Sequence, residues 1–234
     1  MAQLFHPRAN TIARASIAAV ILGLATFCVA ACLVDRSSYV TNQGIVRDQP
    51  VPFSHAHHVR DLGIDCRFCH TSVADSSFAG LPPTKTCMTC HSRIWTDAKV
   101  LQPIRQSWSD EKPIAWNRVH NLPDFVYFPH DIHIAKGVAC VTCHGQVDRM
   151  PLMVQFSSLQ MRWCLDCHSH PEKFIRPRDT VFQMNEVPID AAIKARYSTP
   201  GHTVTDQVSL GEALIALYHV PTDGRLTNCY TCHR

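Results

Sequence analysis

The chain has 234 residues, 46% of them hydrophobic, with 22 Lys and Arg against 19 Asp and Glu. That length accommodates one ordinary domain or two small ones, and the composition is globular rather than disordered. A formal charge of +3 with no basic run gives no electrostatic footprint for nucleic acid.

The first predicted element is a membrane anchor, residues 1–36. Ala15 to Val34 are twenty consecutive residues without a charge, enough to cross the hydrocarbon core as one helix. Arg8 and Arg14 precede the run and Asp35 and Arg36 follow it, so the positive-inside bias puts the N-terminus in the cytoplasm and the rest outside. A cleaved signal peptide is one alternative. A lipoprotein signal is another, since Val29-Ala30-Ala31-Cys32 resembles a lipobox with Cys32 acylated. A retained anchor is the expectation, with Cys28 and Cys32 as small packing residues one helical turn apart.

Residues 37–49 are polar, with a turn at Asn42-Gln43-Gly44, and read as a linker. Then comes Cys66-Arg67-Phe68-Cys69-His70, the first of five C-x-x-C-H motifs. Such a motif sets two thiols where they can add to the two vinyl groups of one porphyrin, with the next imidazole under the iron. The thiol pairs are Cys66 and Cys69, Cys87 and Cys90, Cys140 and Cys143, Cys164 and Cys167, and Cys229 and Cys232. The proximal ligands are then His70, His91, His144, His168 and His233. Zinc ribbons also use paired C-x-x-C, but zinc has no need of a histidine directly after the second cysteine, and all five pairs have one. Five c-type haems are expected. Their ten propionates would carry the +3 apoprotein to roughly −7.

Fifteen histidines leave ten after the proximal set, enough to complete five six-coordinate irons. Phe53-x-His55-x-x-His58 precedes the first two motifs, and Phe128-x-His130-x-x-His133 precedes the next two. The repeat, about 75 residues long, marks two two-haem modules, 53–91 and 128–168. Between them lies a linker, 92–127, with Trp95, Trp108 and Trp116 among Pro103, Pro113 and Pro123. These prolines predict an irregular, extended path, and the tryptophans either pack on porphyrins or fill the core. The C-terminal segment, 169–234, holds the fifth motif and two predicted helices. Asp190 caps Ala191 to Arg196. A capping box, Ser209-Leu210-Gly211-Glu212, opens the second, with Leu210, Ala213, Leu214 and Leu217 on one face until Pro221.

The periplasmic part, 37–234, offers about 40 residues per haem, too few to wrap each in its own protein core. The fold class expected is therefore a multihaem cytochrome c. It is mostly irregular and loop-rich, with short helices packed around five haems behind one N-terminal transmembrane helix. For the sixth ligand of the fifth haem we favour His120, with Met150, Met153, Met161 and Met184 as alternatives. His6, His57, His170, His202 and His219 read as surface or hydrogen-bonded residues.

The phenylalanine–histidine pattern resembles the multihaem c3 and c7 cytochromes. That resemblance implies that His55 ligates the haem at Cys66 and Cys69, that His130 ligates the one at Cys140 and Cys143, and that His58 and His133 reach other haems. GIDCRFCHTSV, AGLPPTKTCMTCHS, LPDFVYFPHDIH, GVACVTCHGQVDRMP, MRWCLDCH and NCYTCHR together resemble the pentahaem subunit (ActA) of bacterial alternative complex III. The resemblance implies a non-catalytic electron-transfer subunit on the outer side of the bacterial cytoplasmic membrane. Its partners would be a large iron–sulfur subunit, polytopic quinol-binding subunits and a monohaem cytochrome c, and its acceptor a periplasmic protein or terminal oxidase. The alternatives are a self-contained quinol dehydrogenase resembling the NapC/NrfH proteins and a multihaem reductase with one open iron. The first fits poorly because about thirty residues separate the anchor from Cys66; the second, because no C-x-x-C-K variant occurs.

Overall fold

The computed structural model describes residues 5–233. The chain divides into two compact units, the first ending at Gln43 and the second beginning at Gly44. The first unit is the helix Ala9–Asp35 followed by a helical turn, Ser38–Thr41. The helix starts six residues ahead of the uncharged run, because Arg14 is a good helix former. At 27 residues it is about 40 Å long, against about 30 Å of hydrocarbon, and it is long and apolar enough to cross a membrane. The turn expected at Asn42-Gln43-Gly44 is present, with Asn42 and Gly44 at φ 58° and 74°.

The second unit contains no strand among the described residues, only isolated bridges such as Val138 with Ile175 and Val126 with His233. Its helices are short and several are set by the cysteine motifs. Cys66–Cys69, Cys140–His144 and Cys229–Cys232 begin on the first cysteine, whereas Thr84–His91 and Met161–Ser169 begin one turn earlier. Asp65 and Asn228 cap two of them, accepting from the N–H groups of Arg67 and Tyr230.

The two modules superpose ring for ring at their phenylalanines. Phe53 meets His55 edge-on at 4.8 Å and stacks on His58 at 4.3 Å. Phe128 meets His130 at 4.9 Å and His133 at 4.3 Å in the same two orientations. One difference separates them. Five steps lead from His58 to Gly63 but four from His133 to Gly137, and the first copy absorbs its extra residue as a π-helix, Ala56–Asp61, where the second has the α-helix His130–Ala135. Both then close alike: the residue after the glycine donates its N–H to the second histidine's carbonyl, Ile64 to His58 at 3.0 Å and Val138 to His133 at 2.9 Å.

The linker is less irregular than its prolines predict. Gln102–Ser109 is a helix with Pro103 in its first turn, where a missing N–H costs no hydrogen bond. It packs on Thr84–His91, and a small core of Val51, Leu101 and Ile104 includes Trp116 at its edge. Trp95 and Trp108 remain about half exposed or more. The main apolar core lies in the C-terminal segment, where Tyr197, Leu210, Leu214, Tyr218 and Val220 surround Ile175 and Val204. Ala191–Tyr197 is capped by Asp190 as expected. The next helix corrects the expected box: Gln207–Tyr218 has Asp206 as its cap and Ser209 as the reciprocal residue. Asp206 binds the Ser209 N–H while the Ser209 hydroxyl takes up the Asp206 N–H, which places the start three residues earlier. Leu217 faces outward and Tyr218 is buried instead.

Candidate haem centres

None of the five motif helices buries a residue. Phe68, Phe78, Leu81, Phe156, Met161 and Tyr230, in or beside the motifs, are half or more exposed. The polypeptide thus leaves much of the surface around the motifs uncovered, and large planar apolar groups fit the donor set and the surfaces left open. No disulfide joins the described cysteines.

The imidazoles are held in one tautomer by the backbone. Nδ1 of the motif histidines His70, His91, His168 and His233 faces the carbonyl oxygens of Gly80, Ile94, Leu226 and Phe125. Nδ1 of His58, His130 and His133 faces those of Ser54, Ser77 and Pro129. A carbonyl only accepts, so each Nδ1 carries the proton and each Nε2 keeps its lone pair for a metal. Sequence reasoning missed these carbonyls. For His58 and His133 the signal was available, since both use the carbonyl four residues back, as helical spacing allows. For the others the partner lies beyond the motif, as far as 108 residues away for His233 and Phe125.

The rings meet in facing pairs. His58 and His91 have centroids 6.3 Å apart, His130 and His144 6.4 Å, and His133 and His168 6.1 Å. An iron bonded at about 2 Å to one nitrogen of each of two imidazoles separates the ring centroids by about 6 Å. His55 lies close enough to His70 to feel its charge. In each module, then, the first histidine stands with the first motif and the second with the second motif. Burial, then the neighbouring histidines, depresses His144 to about 3. His55 falls to about 4 through burial, His70 and His58, and His120 to about 4 through burial and His130. All three are neutral near pH 7, the form that binds a metal.

Burial, then neighbouring motif thiols, pushes Cys143 up to about 12 and Cys140 to about 11. Some thiols act on those of another motif. Cys69 feels Cys87, Cys140 feels Cys66, Cys143 feels Cys167, and Cys164 feels Cys232.

His120 has a different neighbourhood from the one expected of a ligand to the fifth haem. Its ring packs edge-on against His144 at 4.3 Å, whereas His233 stacks on Phe125 at 5.8 Å. Met161 is exposed; Met150, Met153 and Met184 are half-buried. Among the remaining histidines, His57 lies 3.7 Å from Asp61, His170 lies 3.3 Å from Glu172, and His202 donates through Nε2 to the Ser209 carbonyl. His6 accepts from the Arg8 N–H, and His219 ends its helix in the left-handed region.

The chain is 35% identical over 123 residues to the multihaem cytochrome c subunit of menaquinone reductase from Nitratidesulfovibrio vulgaris (strain Hildenborough). That likeness supports a multihaem cytochrome c. The matched stretch is 52% of this chain and 52% of the relative, so the chain spans about half the length of the curated relative it matches. No family model matches the sequence.

Proposed function

We propose that the chain is a membrane-anchored pentahaem c-type cytochrome that conducts electrons within a quinone-linked respiratory complex. The observation that carries the reading is the row of paired imidazoles, 6.1 to 6.4 Å apart in three cases, beside thiols that neighbour one another from motif to motif. His55 and His70, His58 and His91, His130 and His144, and His133 and His168 would be the axial pairs of the first four haems, and His233 the proximal ligand of the fifth. Bound haems would supply one-electron iron couples, and the four paired irons would have no open position for substrate. The chain's own residues fix each imidazole, hold it neutral and keep neighbouring sites close. Ordered by the thiols that act on one another, the motifs would run 2–1–3–4–5, leaving Cys87 to His91 and Cys229 to His233 at the ends as the exchange points with partners.

The complex that fits best is alternative complex III, with electrons entering from its quinol-oxidising and iron–sulfur part and leaving to a periplasmic acceptor or terminal oxidase. The N-terminal helix would anchor the subunit, with the haem domain in the periplasm. The relative's role in a menaquinone reductase supports a second reading in which the same row runs toward quinone. Purifying the tagged chain from its native membranes and assaying quinol oxidation against quinone reduction separates the two. The pairing is tested by His58→Ala, which should create one high-spin haem by electron paramagnetic resonance (EPR). That signal should vanish when Cys87 and Cys90 are also replaced by alanine. Persistence of the high-spin signal in the triple variant would refute the pairing of His58 with the second motif.

A further inference from the structure

The three facing pairs of imidazoles share one spacing, yet their ring planes differ. His130 and His144 are inclined by 10° and His133 and His168 by 27°, whereas His58 and His91 cross at 63°. The repeat shows which ring has turned. Phe53 stacks on His58 and Phe128 on His133, both at 4.3 Å and 28°, and both histidines set Nδ1 against the carbonyl four residues back. These two rings are held alike. The motif rings opposite them are not: His168 Nδ1 donates to the Leu226 carbonyl, 58 residues away, at 2.8 Å, while His91 Nδ1 donates to that of Ile94, within its own turn, at 3.2 Å. The Ile94 carbonyl belongs to the peptide that enters Trp95. Trp95 has φ 56°, in the left-handed region, where so bulky a residue is an outlier. Its ring lies nearly parallel to that of His57 at 6.4 Å.

From these observations, and resting on the haem reading above, we propose that Trp95 is a positioning residue for the second haem. Its left-handed backbone aims the Ile94 carbonyl so that His91 stands across His58, and the second site has crossed axial imidazoles where the third and fourth have near-parallel ones. Two rings trans to each other on one iron differ by rotation about their common axis, so the interplanar angle is that rotation, and the acceptor at Nδ1 sets it. Each imidazole donates π density perpendicular to its own plane into one iron d orbital. Parallel rings load the same orbital, splitting it from its partner and stabilising the ferric hole that it holds. Crossed rings load one orbital each and leave the two nearly degenerate. The second haem should therefore give a strongly anisotropic low-spin EPR signal and be easier to reduce than it would be with parallel rings. In the order proposed above it stands at one end of the row, where a raised potential draws electrons outward.

The test uses the full-length holoprotein and a matched pair of variants at one position. Trp95→Gly keeps the left-handed backbone without steric cost, whereas Trp95→Pro locks φ at about −65° and forbids it. Haem content by pyridine haemochrome comes first. Five haems in the unsubstituted protein uphold the underlying reading, and their absence would sink that reading independently. EPR of the oxidised protein should contain a strongly anisotropic low-spin signal that is lost when Cys87 and Cys90 are replaced by alanine. W95G should retain that signal. W95P should convert it to a rhombic one at unchanged haem content and lower the reduction equilibrium of that haem by up to about tenfold, which is about 59 mV for a one-electron couple. Loss of only a rhombic signal on replacing Cys87 and Cys90 would overturn the proposal. So would survival of the anisotropic signal in W95P, or its loss in W95G as well as W95P. Should W95P fail to assemble, Trp95→Val, whose β-branched side chain disfavours the same region, makes the comparison with W95G.

Discussion

The two module glycines, Gly63 and Gly137, occupy the same place in the repeat and both have positive φ, at 69° and 83°. They offer a matched pair of perturbations. An alanine in the left-handed region costs about 1–2 kcal/mol, which is all that Gly63→Ala should lose, because a Cβ there meets nothing within 4 Å. At Gly137 the same methyl would lie 2.5 Å from the Arg176 carbonyl oxygen and 3.0 Å from the Tyr218 ring. The Arg176 N–H also donates to the Gly137 carbonyl at 2.9 Å, so the backbone cannot retreat without straining that bond. Adding about 1–3 kcal/mol for overpacking and about 1 kcal/mol for the weakened bond, Gly137→Ala should be worse than Gly63→Ala by about 2–4 kcal/mol. For a domain of this size that is a difference of roughly 5–15 °C in Tm. The assay is thermal or guanidinium unfolding followed by loss of the low-spin Soret band, which reports axial ligation while the thioethers keep each haem attached. Equal destabilisation by the two alanines would refute the packing argument.

Deleting Arg60, which lies in the π-helical turn, removes the residue by which the first module exceeds the second, so the segment should adopt the α-helical path of the second. Unchanged haem content and no new high-spin signal, with less than about 1 kcal/mol lost, are expected, whereas a new high-spin haem would mean the π turn is needed to seat His55 or His58. Gly211 packs against the Glu172 backbone so closely that any Cβ there would overlap the carbonyl. Gly211→Ala should therefore cost about 3 kcal/mol or more by denaturant unfolding, and a neutral result would show that the Gln207–Tyr218 helix can slide away from the Pro171–Lys173 turn.

What could be read beforehand was what is local. The five motifs, the uncharged N-terminal run and the histidine pairs are short-range patterns in which chemistry dictates spacing, and the helices form where the motifs require them. Asp190 capping Ala191–Tyr197 is of the same kind. The capping box was read three residues late because Ser209 and Glu212 fit the expected pattern, while Asp206 with Ser209 satisfies the same backbone groups in reverse. Pro103 belongs to a run of prolines that predicts an irregular path, yet a proline in a first turn starts a helix as readily as it ends one. His120 was not legible at all. Nothing in Trp116 to His120 indicates that its ring will stand beside His144, because that contact depends on how the linker folds back over the second module.

The parts that were not local are the ones that hold the row together. His130 opens the second module, yet its N–H and its Nδ1 both bond to the Ser77 carbonyl in the first, at 3.1 Å and 2.9 Å. His168 is tied to Leu226, and the Tyr127 N–H donates to the Cys232 carbonyl at 2.9 Å. Each tie runs from a ligand, or from a motif cysteine's backbone, to a different segment of the chain. The hydrogen bond that orients an imidazole is thus often the same one that docks neighbouring segments. Thioether bonds would restrain each haem within its own motif but would not set the distance to the next. That distance rests on these backbone carbonyls, so loosening one should disturb both the orientation of a ligand and the spacing of two adjacent sites.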